Sequence, residues 1–67
     1  MKVSNKVLTT YEIAKLILVD ITTVMKWIDS GKMKGYTTPG GHRRVFQKDF
    51  LTFLKKYKMP VPKGLKN

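Results

Sequence analysis

The sequence contains no cysteine, so neither disulfide bonds nor a zinc site with thiolate ligands can stabilise the fold. A chain of 67 residues buries only about 60% of the surface that it exposes when unfolded, and apolar packing alone must therefore hold a small core. Long hydrophobic runs are also lacking, because the longest aliphatic run, Leu16 to Val19, falls far short of the about 20 residues of a membrane-spanning helix. We therefore expect one soluble, cytoplasmic domain without a targeting or membrane-spanning segment.

Acidic residues are scarce, and this scarcity argues against catalysis. Of the four carboxylates, Glu12 and Asp20 stand at predicted helix starts and Asp49 in a predicted first turn. Asp29 then has no second carboxylate with which to form an acid and base pair. The single His42, without cysteine and with few free carboxylates, cannot supply three or four metal ligands. We expect no enzyme activity, no metal and no cofactor.

Basic residues are abundant by contrast. Fourteen Lys and Arg against four Asp and Glu give a net charge of +10, which favours nucleic acid or an anionic membrane surface as the partner. An alternative is that lysine-rich, A+T-biased genomes produce basic small proteins in any case. The arrangement of the charges has to decide between these interpretations.

Two short helices are predicted near the start of the chain. The segment Thr9 to Glu12 fits a capping box, so the first helix should begin at about Thr10. Asp20 is a suitable N-cap for a second helix over about 21–30, and Gly31 is the expected left-handed residue after it. Two helices joined by a three-residue turn form the helix-turn-helix layout.

A β-hairpin and a third helix are predicted to follow. Extended segments over 33–38 and 42–46 flank Pro39-Gly40-Gly41, whose residue types favour a tight turn. From about Gln47, apolar residues recur at helical spacing and close the core. The predicted fold is mainly α with a small two-stranded β-hairpin, a winged helix-turn-helix over residues 8–57, with residues 1–7 and 58–67 as flexible termini or linker.

The two faces of the second helix differ in character. Its predicted buried stripe is Val24, Trp27 and Ile28, and core packing is favoured over base stacking for the tryptophan. The opposite face carries a hydroxyl, a flexible apolar side chain and a lysine, a set suited to base edges, thymine methyls and phosphates in a major groove. The alternative is a merely solvated face. The residues of this face are Thr22, Met25, Lys26 and Asp29.

The hairpin holds the only histidine and the only two arginines of the chain, at positions 42–44. Arginine binds phosphate through two parallel hydrogen bonds and enters narrow A·T-rich minor grooves more readily than lysine. Alternating strand geometry lets one arginine enter a minor groove while the other meets the backbone. A phosphate-binding loop of an enzyme is disfavoured because Gly40 and Gly41 lack the required spacing. A plain solvated turn is the remaining alternative.

Two motifs follow each other closely, W-I-D-S-G-K at residues 27–32 and T-P-G-G-H-R-R at residues 38–44. With these motifs, residues 8–54 resemble the winged helix-turn-helix of the MerR superfamily, and look most like its small excisionase-like and BldC-type members. The resemblance implies a second helix in the major groove and a hairpin that acts as the wing. Leu18 departs from it, because members often have glycine in this turn. The resemblance also stops before the long dimerising helix and effector domain of the MerR regulators proper, so no sensor is expected.

The predicted function is sequence-specific binding of double-stranded DNA in transcription regulation, at A·T-rich or repeated sites, with cooperative self-association on DNA or a partner protein. An excisionase-like accessory role in recombination stays open, as does the DNA-binding head of a longer response regulator or serine-recombinase transposase. A remote alternative is a polybasic adaptor that uses the lysines of residues 55–66 for anionic lipid or single-stranded RNA. The candidate DNA-binding residues are Thr10, Tyr11, Thr22, Thr23, Met25, Lys26, Thr38, Gly40, Gly41, His42, Arg43 and Arg44.

Overall fold

The computed structural model describes residues 6–62, which form three helices and a three-stranded antiparallel sheet. The elements in chain order are β1 (Val7–Thr9), α1 (Thr10–Ile17), α2 (Ile21–Asp29), β2 (Tyr36–Thr37), β3 (Arg43–Phe46) and α3 (Gln47–Lys56). The prediction of a mainly helical, winged helix-turn-helix architecture is confirmed.

Helix α1 begins with the predicted capping box. The Thr9 hydroxyl accepts the Glu12 backbone N–H at 3.0 Å, and the Glu12 carboxylate accepts the Thr9 N–H at 2.9 Å. The helix ends at Leu18, whose φ of 57° and ψ of 50° are left-handed. Because a β-carbon makes this conformation cost about 1–2 kcal/mol, the backbone is strained at Leu18.

Helix α2 confirms the predicted ends with one correction. Asp20 is the N-cap, but its carboxylate makes no capping hydrogen bond, so only its charge acts on the helix dipole. The helix ends at Asp29, and Ser30 is the C-cap. Gly31 follows with a φ of 85°, the left-handed conformation expected there.

The wing is formed by β2 and β3. The Thr38 N–H donates to the His42 carbonyl at 2.8 Å and the Gly41 N–H donates to the Thr38 carbonyl at 2.9 Å, which closes a three-residue loop. Gly41 has a φ of 87°, a left-handed conformation that favours glycine. The hairpin is confirmed, but its first strand is shorter than the predicted 33–38, because Met33 instead turns into the core with 1% of its surface exposed.

Strand β1 was not predicted. Residue 7 was expected in a loose start and the hairpin was expected to be two-stranded, yet Val7 pairs with Phe46 and Leu8 with Val45. Strand β3 is therefore the central strand of the order β1-β3-β2. A three-residue strand leaves too little periodicity to identify, and its partner lies far along the chain.

The core lies between the helices and the inner face of the sheet, and within residues 6–62 it contains no buried polar side chain. Trp27 packs against it at a centroid distance of 5.0 Å from Phe53, which bears out the core interpretation of the tryptophan. The buried residues are Leu8, Ile13, Ala14, Val24, Met33, Val45, Phe50, Phe53 and Leu54.

The chain remains part of the fold beyond the predicted domain end. Lys58 adopts a left-handed φ of 57°, and the Met59 N–H donates to the Leu54 carbonyl at 2.8 Å. Met59 packs against the core. The chain after Tyr57 therefore caps α3 and turns back toward the core at Met59.

Candidate nucleic-acid interface

The outward face of α2 carries the side chains that were predicted for it. Thr22, Lys26 and Asp29 are exposed and Met25 is half-buried, whereas Val24 is fully buried on the other side. Residues three, four and seven apart lie on one face of a helix, so these four side chains form one continuous surface. No described side chain other than that of Arg43 has a hydrogen bond or ion pair to this face.

Asp29 and Arg43 form a bidentate ion pair between α2 and the wing. The Arg43 Nε donates to Asp29 Oδ1 at 3.0 Å, and Nη2 donates to Oδ2 at 3.0 Å. The Arg43 side chain is 25% exposed and that of Asp29 is 56% exposed. The hydrogen bond to Asp29 raises the pKa of Arg43 above its ordinary value, desolvation opposes this shift, and the attraction of the carboxylate adds to it. Arg43 is therefore a cation throughout the neutral pH range.

The ion pair shows that the wing lies on the same side of the molecule as the outward face of α2. Asp29 shares the outward face of α2 with Lys26, and Arg43 reaches that face from β3. The guanidinium of Arg43 and the ammonium-bearing chain of Lys26 thus belong to one basic surface.

At Gly35 the chain passes close to both β3 and α2. A β-carbon at Gly35 would lie 2.8 Å from the Arg44 carbonyl oxygen and 3.4 Å from Ile28 Cγ2. Only a residue without a side chain permits this approach of the chain to β3 and α2. Gly35 thereby sets the distance between the second helix and the hairpin.

The tip of the wing projects and is held by its own backbone. The Thr38 hydroxyl accepts the His42 N–H at 3.3 Å, in addition to the two backbone bonds of the loop. Gly40, Gly41 and His42 are exposed. Pro39 is exposed as well, and the two glycines among these residues allow the backbone to approach another molecule closely.

The two arginines point to opposite faces of β3. Arg43 lies on the face of the buried Val45, and Arg44 lies on the other face, where it pairs with Tyr36 across the sheet. The Arg44 Nη1 donates to the Arg43 carbonyl at 3.1 Å, and the side chain is half-buried. The predicted alternation of the arginines is therefore present, but only Arg43 shares a surface with the outward face of α2.

The remaining candidate residues lie at helix starts. Tyr11 is 60% exposed at the beginning of α1, with the Lys15 Nζ 5.3 Å from its ring centroid. A shallow groove joins these two side chains to the turn and to the first residue of α2, Ile21. Thr10 and Thr23 are half-buried, and Thr23 donates its N–H to the Asp20 carbonyl at 3.0 Å. The start of α1 thus adjoins the start of α2.

Two features of this surface are not predicted from the sequence. Asp29 and Arg43 are predicted in separate elements and not as a pair, and Gly35 has no predicted role. A signal existed for the glycine, because an isolated glycine inside an extended pattern often marks a close backbone approach. The ion pair had no such signal, since its partners meet only after the hairpin has folded.

The described part of the chain contains neither a cluster of metal-ligand groups nor a membrane-spanning helix. Within residues 6–62, no three His, Cys, Asp or Glu side chains come together as a metal site. No helix in that range has the length and apolar character needed to cross a membrane.

Comparison with known proteins gives one family. A family model described as a helix-turn-helix domain matches residues 7–58, which include every helix and strand of the structure. A comparison with curated proteins gives no significant match.

Proposed function

The chain belongs to this helix-turn-helix domain family, whose members bind DNA, and from that premise we propose that it is a sequence-specific regulator of transcription. In the proposed complex α2 enters the major groove of double-stranded DNA, and the wing over residues 38–45 meets the neighbouring minor groove and backbone. The net charge of +10 supplies the attraction to the phosphates.

One observation carries the proposal. The Asp29 and Arg43 pair joins the wing to the outward face of α2, so a duplex that meets Lys26 also meets the wing. A helix and a hairpin presented on one side suit the alternating grooves of a duplex. A single-stranded nucleic acid or a lipid surface would not require this arrangement.

We assign different tasks to the candidate residues. The exposed hydroxyl and ammonium groups of Thr22 and Lys26 and the half-buried thioether of Met25 suit base edges, and these three side chains therefore read sequence. Residues at helix starts and on the wing contact the sugar and phosphate backbone or the minor groove, and they position the protein. These residues are Thr10, Tyr11, Thr23, Thr38, Gly40, Gly41, His42, Arg43 and Arg44.

The preferred sites are A·T-rich or repeated. An arginine near the wing tip suits the narrow minor groove of A·T-rich DNA. A single module of this class buries only about 600–1,000 Å² of protein surface, which gives modest affinity. We therefore propose that several copies bind adjacent sites cooperatively or that a partner protein assists.

The proposal is tested by selecting preferred duplexes from a random pool with the wild-type protein and with Lys26→Ala. We expect the wild type to select a defined duplex and Lys26→Ala to select a different one, because Lys26 is assigned to base edges. Lys55→Ala is the matched control, since it removes the same charge from an exposed position on α3.

The outcomes separate the candidate functions. Lys55→Ala should retain the wild-type preference and bind slightly more weakly. If Lys26→Ala also retained that preference, α2 would not be the reading element. Equal binding of single-stranded DNA or of anionic vesicles would favour the polybasic adaptor instead.

A further inference from the structure

Asp29 is an unusual residue for a surface that meets DNA, and its role rests on the function proposed above. Its carboxylate lies on the same helix face as Lys26 and is 56% exposed, so it would repel nearby phosphates. The chain has only four acidic residues. One of them therefore occupies the surface where negative charge weakens binding most.

The contacts of Asp29 show what it does there. Its carboxylate accepts hydrogen bonds from Nε and Nη2 of Arg43. The Nη1 group of Arg43 has no hydrogen bond to any described residue. A guanidinium is a rigid planar fork, so holding one edge also fixes the direction of the other. The carboxylate thus orients Arg43 and offsets its charge at the same time.

These two effects act differently on the preferred duplex and on random duplexes. Orientation helps only where a phosphate or base lies in the one position that the fixed edge can reach. The offset of charge weakens attraction to every phosphate alike. Together they lower affinity for random DNA more than affinity for a duplex on which α2 is correctly seated.

We propose that Asp29 is a specificity-determining residue, which acts by holding Arg43 in a fixed orientation and by preventing this arginine from binding phosphates indiscriminately. Asp29 contacts no base in this account. It is a positioning residue that acts through Arg43 and that braces the wing against α2.

The test compares wild type, Asp29→Asn and Asp49→Asn on the selected duplex and on a random duplex over a range of salt concentrations. Asp49→Asn raises the net charge equally but from the first turn of α3. For Asp29→Asn we expect stronger binding to the random duplex and a loss of about two- to fivefold in discrimination, the size of an exposed ion pair. The log–log salt slope should steepen by about 1, because Arg43 becomes free to neutralise one more phosphate.

Arg43→Lys supplies the conservative variant. It retains the charge but loses the bidentate geometry, so it should lose discrimination to a similar extent. The double variant with Asp29→Asn should lose little more discrimination than either single variant, because both changes break the same interaction.

A second measurement follows the wing without DNA. Amide hydrogen exchange at Thr38, Gly41 and His42, whose N–H groups close the wing loop, should become faster in Asp29→Asn and unchanged in Asp49→Asn. Unchanged exchange in Asp29→Asn, or discrimination equal to that of Asp49→Asn, would overturn this inference alone. A wild-type protein without any preference for a duplex would overturn the proposed function as well.

Discussion

Single residues set the distance between the wing and the second helix. Gly35 approaches the Arg44 carbonyl oxygen so closely that an added β-carbon would lie 2.8 Å away, and it would also lie 3.1 Å from Val45 Cγ2. The first neighbour is backbone of the central strand and the second is a buried side chain, so neither can move cheaply. The glycine is needed for its lack of volume.

Gly35→Ala should therefore destabilise the protein by about 1–3 kcal/mol, the usual cost of overpacking. The control is Gly40→Ala, because a β-carbon there would lie no closer than 3.4 Å to His42 and 3.9 Å to the Thr38 hydroxyl, and the backbone is not left-handed. Gly40→Ala should change the free energy of unfolding by no more than about 0.5 kcal/mol. Urea denaturation measures both, and equal stabilities would show that the chain near Gly35 shifts freely.

At the scale of elements, the two helices of the helix-turn-helix begin in different ways. Helix α1 has a reciprocal capping box between Thr9 and Glu12, and its N-cap also ends the strand β1. Helix α2 has Asp20 in the N-cap position without a capping hydrogen bond. The start of α1 is thus held by directed bonds, whereas at the start of α2 only the charge of Asp20 acts.

Thr9→Ala should lower the free energy of unfolding by about 1 kcal/mol, because a backbone N–H at the helix start loses its acceptor. Thr9→Ser should restore most of that loss, since serine retains the hydroxyl. Thermal unfolding of the three proteins tests this, and a serine variant as unstable as the alanine variant would contradict it.

Asp20→Ala provides the comparison within the same fold. Asp20→Ala should lower the free energy of unfolding by about 0.3–1 kcal/mol at low salt. This loss should become smaller as salt screens the helix dipole. The loss in Thr9→Ala should persist at high salt. This difference distinguishes a hydrogen bond from a charge at a helix start.

The whole molecule is small and carries a large excess of positive charge. The four carboxylates are already counted in the net charge of +10, and of these Glu12 accepts the Thr9 N–H while Asp29 is paired with Arg43. The described part has principal extents of 29 × 27 × 19 Å, so every surface lies within a few Debye lengths of every other. Binding to DNA should accordingly be dominated by the release of counterions.

We expect the logarithm of the association constant to fall with the logarithm of salt concentration with a slope of about −4 to −6, which corresponds to about five to seven neutralised phosphates. Fluorescence anisotropy of a labelled duplex measures this slope. Binding that is insensitive to salt would contradict an electrostatic interface, whatever the affinity.

Local features of the fold could be predicted because their causes are local. The capping box over residues 9–12, the left-handed Gly31 and the loop at residues 39–41 each depend on neighbouring residue types, and the structure contains all three. The division of α2 into a buried and an outward face followed from its period, and Val24 and Lys26 lie as that period requires.

Features that join distant segments could not be predicted in this way. Strand β1 is too short to leave a pattern, and it exists because β3 offers Val7 and Leu8 a hydrogen-bonding edge. Met33 is predicted in a strand because the residues after it are extended, yet the turn after α2 places its side chain in the core.

The sequence by itself determined the helices, the turn residues, the basic character and the residues that a wing would offer, since each depends on composition or on spacing along the chain. Only the tertiary structure decided that Arg43 faces α2 while Arg44 faces away, and that Asp29 is the partner of Arg43. The reason is that strand register and the approach of Gly35 set the position of the hairpin, and both arise from packing between segments that are far apart in the chain.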